Sequence, residues 1–173
     1  MWQGNPPVLI MEDPMQIYII AVGKIKEKFL RDGIAEYEKR LRPYVKLTII
    51  EIAEEKRAGH LTPADQKRIM DAEGTRILRS IPQDSFVIVL DIKGVHWSSE
   101  TLAENLRQYE IAGRNTLSFI IGGDLGLSDI VITRSNVRLS LSLMTFTHQM
   151  IRQILLEQLY RACKINHNEP YHK

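Results

Sequence analysis

The chain has 173 residues, 44% hydrophobic and 25% charged, enough for one domain with a full core, too few for two ordinary ones, and without the bias that marks disorder. Its 23 Lys and Arg against 21 Asp and Glu leave a net charge of only +2, which excludes a molecule-wide field for polyanions and confines any nucleic-acid surface to a local patch. Residues 1–14 lack the basic and apolar regions of a signal peptide; they are expected to form a flexible extension, with Met15 as the functional start and 15–173 as one domain. Residues 16–22, rich in Ile and Val, read as a buried strand. Phe29, Leu30, Ile34, Tyr37 and Leu41 then recur at helical spacing until Pro43. A second strand is expected over 46–53 and a mobile loop over 54–61. Thr62, Pro63 and Asp65 start a helix running to about Ser80. The strand signal is strongest at 86–91, with a loop expected from there to Trp97. Ser98 caps the next helix, and 116–121 is the fourth strand. A glycine loop, a short helix over 128–135, a strand over 137–141 and a long helix over 148–165 complete the chain. Strands alternating with helices imply an α/β fold with a mostly parallel, helix-covered sheet.

Ligands in open α/β sheets settle outside the carboxyl ends of the strands. Three such ends coincide here: Leu90 and Asp91, the loop Gly122-Gly123-Asp124-Leu125-Gly126-Leu127-Ser128, and the run Leu141-Ser142-Leu143-Met144-Thr145-Phe146. Glycines let a backbone approach a ligand closely, though a glycine pair equally makes a plain tight turn. The first strand ends in Gly23 with no second glycine, and neither GxGxxG nor GxxxxGK[ST] occurs, so dinucleotide and P-loop sites lose support. The single Cys163 forms no intramolecular disulfide, fits a reducing cytoplasm and reads as a buried inert thiol. His60, His96, His148 and His167 have no metal-ligand spacing, so no metal is expected. His148 reads as a first-turn helix residue close behind the 141–146 run rather than a base. Trp97 either stacks on a base or partner, or is simply half-buried. No run approaches the roughly 18 apolar residues of a membrane span. Arg134, Arg138, Arg152, Arg161, Lys164 and Lys173 give the last segment a positive excess.

Residues 18–24, 35–40, 121–123 with 126–128, 139–146, and 160–162 with 170–172 resemble, in consistent order, the ribosomal RNA large subunit methyltransferase H family of the SPOUT superfamily. The resemblance implies a SPOUT-type α/β fold with a deep C-terminal trefoil knot, a homodimer in the cytoplasm, and S-adenosyl-L-methionine as cofactor. It also implies methylation of N3 of a pseudouridine in the intersubunit stem-loop of 23S rRNA, on the assembled 70S ribosome. Carried over by motif, Leu90, Gly122, Leu141, Ser142, Leu143, Met144, Thr145 and Phe146 contact the cofactor. Glu157, Arg161, Tyr171 and His172 handle substrate and catalysis. The chain departs from the family pattern at Asp124, Leu143 and Thr147, the last where a proline would fix φ.

These residue types suit the chemistry. His172, with an unperturbed pKa of about 6.5, could take the N3 proton, and Arg161 could hold a phosphate or neutralise charge on the base. The plain alternatives are a solvated tail histidine and an i, i+4 helix pair between Glu157 and Arg161. Two other functions stay open: a SPOUT methyltransferase acting on tRNA, and a catalytically silent ribosome-binding module. A β-carbon at Gly122 is expected to fill cofactor space with the fold intact. Apolar residues on more than one face of the last helix (Ile151, Ile154, Leu155, Leu159, Ala162) suggest a partner subunit.

Overall fold

The strands β1 (Gln16–Val22), β2 (Lys46–Ile52), β3 (Phe86–His96), β4 (Thr116–Ile121) and β5 (Val137–Ser140) form one sheet. Its order is β2-β1-β4-β3-β5 and every pairing is parallel. The computed structural model describes residues 13–171, so residues 1–12 of the expected extension, together with His172 and Lys173, lie outside the described residues. Parallel strands need both faces covered, and β1 supplies apolar residues to each: Ile17, Ile19 and Ala21 to one side, Ile20 and Val22 to the other. The helices α1 (Lys28–Leu41), α3 (Ser99–Ile111) and α5 (His148–Asn166) cover the first face. The second lies under α2 (Pro63–Ser80) and the short α4 (Asp129–Arg134).

Side-chain caps start α2, α3 and α5. Thr62 and Asp65 form a reciprocal capping box with Pro63 at the first helical position, and Ser98 accepts from the Thr101 amide. Thr147 caps α5 through its hydroxyl, which accepts from Met150 N at 3.2 Å. Its φ of −62° is a value a proline would impose, so the hydroxyl keeps in place what the missing ring would have fixed.

Two expectations change. The loop expected after Asp91 is instead the continuation of β3, which runs on to His96 with a register shift against β5 between Leu90 and Val95. Gly94 lets the strand continue because it admits a close approach: a β-carbon there would lie 2.5 Å from the Arg138 carbonyl. Second, α5 lies between α1 and α3 against the sheet, so its apolar faces are largely covered within the chain. Trp97 is half-buried and packs on this same core.

Candidate functional site

The carboxyl ends of β3, β4 and β5 open into a cleft of about 1240 Å³, bounded by the glycine loop on one side and the β5–α5 connection on the other. In the glycine loop, Gly126 N donates to Gly123 O at 3.0 Å and Gly126 has φ +87°, a left-handed turn that admits glycine without strain. A β-carbon at Gly122 would lie 2.9 Å from the Gly126 carbonyl. The first obstacle to a side chain at 122 is therefore the loop's own backbone, and Gly122→Val would deform the loop rather than merely fill cofactor space. The β5–α5 connection is tied by its own serines: Ser140 Oγ donates to Ser142 O at 2.9 Å, and Ser142 Oγ accepts from Met144 N at 3.0 Å.

Seven of the eight residues assigned to the cofactor line this cleft: Leu90, Gly122, Leu141, Ser142, Met144, Thr145 and Phe146. Leu143 is 89% exposed and does not. His148 stands at the cleft, as expected of a first-turn residue, and its Nδ1 is 2.7 Å from Asp124 Oδ1. Arg57 Nη1 donates to the other Asp124 oxygen at 3.1 Å. The expected mobile loop over 54–61 is thereby anchored to the glycine loop, and Asp124 has a role its place in the sequence did not disclose.

Asp91 stands at an expected strand end, but its partners were not legible beforehand, nor was the part α1 takes in the cleft. Asp91 binds Arg138 through Nε at 2.9 Å and Nη2 at 2.5 Å, and accepts from Lys93 N. Burial works against its charge, but the Lys93 amide and the Arg138 guanidinium outweigh it and hold the carboxyl below its ordinary value. Glu27 and Phe29, at the start of α1, also line the cleft. They reach it because Lys26 N donates to Gln149 Oε1 at 2.9 Å, joining segments 123 residues apart, for which no local pattern exists.

The proposed substrate-handling residues gather elsewhere. Tyr171 donates its hydroxyl to Glu157 Oε1 at 2.8 Å, Arg161 Nη2 donates to the same oxygen at 2.6 Å, and the guanidinium lies 4.2 Å from the Tyr171 ring centroid. Burial first, then the Glu157 carboxylate, pushes the Tyr171 phenol well above its ordinary value. This group does not line the cleft, whose α5 wall ends at Ile151. Six residues on to Glu157 and ten to Arg161 correspond to about 9 and 15 Å along the helix. His172 lies outside the described residues.

Among the described residues the basic side chains of the last segment are internally committed; Lys173 lies outside them. Arg134 donates to Ser85 O, Arg138 pairs with Asp91, Arg161 with Glu157, and Lys164 with Glu169. Arg152, 1% exposed, is held by Glu51 and Gly23 O. Burial pushes the Cys163 thiol up to about 12, which keeps it an inert neutral group. Among the described residues no group of three or more His, Cys, Asp or Glu could hold a metal, and no helix is long and apolar enough to cross a membrane.

Comparison with known proteins places this geometry. The family described as "Predicted SPOUT methyltransferase" matches residues 15–172. A Methanoregula boonei protein, provisionally named ribosomal RNA large subunit methyltransferase H, is 59% identical over 160 residues, covering 92% of this chain and 100% of its own length. Proteins of that name from Carboxydothermus hydrogenoformans and Bacillus pumilus are 51% and 52% identical over 159 residues, with the same shares covered. A solved methylase-family structure from Neisseria gonorrhoeae superposes with TM-score 0.51 at 11% identity, covering 98% of this chain and 90% of that one, a likeness of fold alone. With a matching five-stranded parallel α/β architecture and near full-length identity above one half, the chain belongs to the SPOUT methyltransferase family, in its ribosomal RNA large subunit methyltransferase H branch.

Proposed function

We propose that the protein is an S-adenosyl-L-methionine-dependent methyltransferase of ribosomal RNA, acting as a homodimer on N3 of a pseudouridine in the 23S intersubunit stem-loop of the assembled ribosome, in the cytoplasm. The observation that carries the reading is the glycine-cradled cleft at the carboxyl ends of β3, β4 and β5, in a chain of this family. The cleft's chemistry suits that cofactor. Leu90, Leu139 and Phe146 offer apolar wall for a purine, the glycine loop brings backbone groups close, and Asp91, Asp124 and Asp129 offer acceptors for hydroxyls and an ammonium. When bound, the cofactor supplies an electrophilic methyl group on a sulfonium. The chain's part is to bring N3 in line with it, to remove the imide proton and to neutralise charge on the flanking carbonyls. His172 suits the proton transfer, Arg161 the neutralisation and Tyr171 the positioning of the base.

The homodimer has a specific basis. Phe29, Met144, Phe146 and Met150, all exposed, share the mouth of the cleft, and Leu143 stands exposed beside them. A patch of this kind marks an interface. A partner seated there would bring the Glu157, Arg161 and Tyr171 group toward a cleft that its own chain leaves at a distance. The C-terminal knot of the family, and residues 15–173 as the working unit without 1–14, belong to the same reading.

The test is acceptor mapping. Full-length protein and protein lacking residues 1–14 are incubated with labelled cofactor and 70S ribosomes, free 23S rRNA or tRNA, and the methylated nucleoside is identified by mass. The expected product is N3-methylpseudouridine, from 70S ribosomes only, with both proteins. Labelled tRNA would point to the alternative substrate, and no label on any acceptor to a silent binding module.

A further inference from the structure

Glu73, on α2, is 2% exposed and does not line the cleft. Its Oε1 accepts from Glu55 N at 2.9 Å, while Oε2 is buried and has no hydrogen-bond partner among the described residues. A β-carbon built at Gly123 would sit 3.5 Å from that oxygen and 3.3 Å from Val22 Cγ1. One residue along, a β-carbon at Gly74 would strike Ser128 Oγ at 2.1 Å, and that hydroxyl too is buried without a partner. The helix thus meets the glycine loop at residues 123 and 128 through polar groups that make no bond to it. The segment held by Glu73 also reaches the loop from outside, through Arg57 and Asp124. A buried carboxyl with one oxygen unsatisfied is destabilising, and an apolar side chain of similar volume would avoid that cost. Its presence beneath the glycine loop calls for a reason beyond packing.

We propose that Glu73 is a positioning residue for the cleft's ligand, holding residues 54–57 with one carboxyl oxygen and setting the height of Gly123 with the other, so that the ligand-facing side of the glycine loop is formed before binding. This rests on reading the cleft as the S-adenosyl-L-methionine site. Glutamine preserves both functions, since its carbonyl can accept from Glu55 N and its amide fills the place of Oε2. Alanine removes both and leaves space into which the loop can sink.

Calorimetric titration of S-adenosyl-L-methionine into wild type, Glu73→Gln, Glu73→Ala, Gly123→Ala and the double variant Glu73→Ala/Gly123→Ala tests this, each protein first shown folded by circular dichroism. Glu73→Ala is expected to weaken binding about tenfold, and Glu73→Gln to stay within about threefold. Gly123→Ala, whose β-carbon would meet Val22 Cγ1 at 3.3 Å and lie in ordinary contact with Glu73 Oε2 at 3.5 Å, should weaken binding in the wild-type background and weaken it less once Glu73 is alanine and the loop can sink away from Val22, a coupling that two independent structural defects would not show. If Glu73→Ala does not fold, Glu73→Met fills the volume without a polar atom and takes its place. Wild-type affinity in the folded alanine or methionine variant, or strictly additive effects, overturns the inference alone. Absence of binding by wild type overturns the cofactor reading and this inference together.

Discussion

Tyr171 shares Glu157 Oε1 with Arg161 and lies under the guanidinium, so one carboxylate organises the whole group. Burial and that carboxylate raise the phenol's pKa, which makes Tyr171 a neutral hydrogen-bond donor and leaves proton removal to another residue. Tyr171→Phe keeps the ring and loses the donor; single-turnover methyl transfer is expected to fall about tenfold with cofactor affinity unchanged. His172→Ala should cost about 10²–10⁴-fold in the same assay if the imidazole takes the N3 proton, and wild-type rates would reject that role. Glu73 gives a different signature, in stability against pH. Burial raises its carboxyl above the ordinary value, so the folded state holds the proton more tightly than the unfolded chain does. The associated stabilisation is complete below the ordinary carboxylate pKa of about 4.3 and is lost as pH rises through the raised value. Glutamine does not titrate, so Glu73→Gln should gain stability relative to wild type as pH rises above the ordinary carboxylate value, read as a denaturant midpoint that separates with rising pH. Midpoints that stay parallel as pH rises would show that folding does not hold the carboxyl above its ordinary value.

Element by element, the sequence was readable wherever the signal is local. Apolar runs marked strands that need cover on both faces, and Thr62 and Ser98 marked helix starts through their own hydroxyls. It was unreadable where one glycine serves two purposes, since Gly94 admits the β5 backbone within a strand while Gly126 makes a genuine turn. The site divides in the same way. Leu90, Gly122 and most of the β5–α5 loop stood at expected strand ends and were assigned to the cofactor through resemblance, whereas Phe29, the Asp91–Arg138 pair and the Asp124 clasp depend on contacts between distant segments that no spacing encodes. The entry to α5 turns the Thr147 departure into a measurement. Removing its hydroxyl leaves the Met150 amide without its cap, so Thr147→Ala should cost about 1 kcal/mol. In a chain of this length that lowers Tm by about 2–4 °C. Thr147→Pro also loses the cap but fits φ −62° and restricts the unfolded chain, which offsets about 0.4–1 kcal/mol. Its Tm should therefore lie above that of Thr147→Ala, and an order reversed would show that the amide at 147 or the backbone at 146 resists the ring.

At the scale of the whole molecule, the proposed function needs two groups of residues that one chain holds apart. The cleft takes the first turn of α5, and Glu157 and Arg161 lie about 1.7 and 2.8 turns beyond it, with Tyr171 beside them past the helix end. A helix is too stiff to fold back and join them, so either the RNA bridges the gap or a second copy supplies the missing half. Two defective proteins separate these cases. Gly122→Val carries a deformed glycine loop with its tail group intact, and Arg161→Ala carries an intact cleft with a broken tail group; each alone should be inactive on ribosomes. Co-expressed with different affinity tags and purified as the mixed dimer, they should regain activity if sites are shared, because one of the two clefts is then whole and meets an intact partner tail. The expected rate is about half that of wild type per purified mixed dimer, and about a quarter for an unsorted mixture in which half the dimers are mixed. If each chain completes its own site, both sites of the mixed dimer carry a defect, one in its cleft and one in its tail group, and activity stays at the level of the parents. Light scattering on the wild type at micromolar concentration supplies the control, since a monomer with full activity would remove the shared site and the dimer at once.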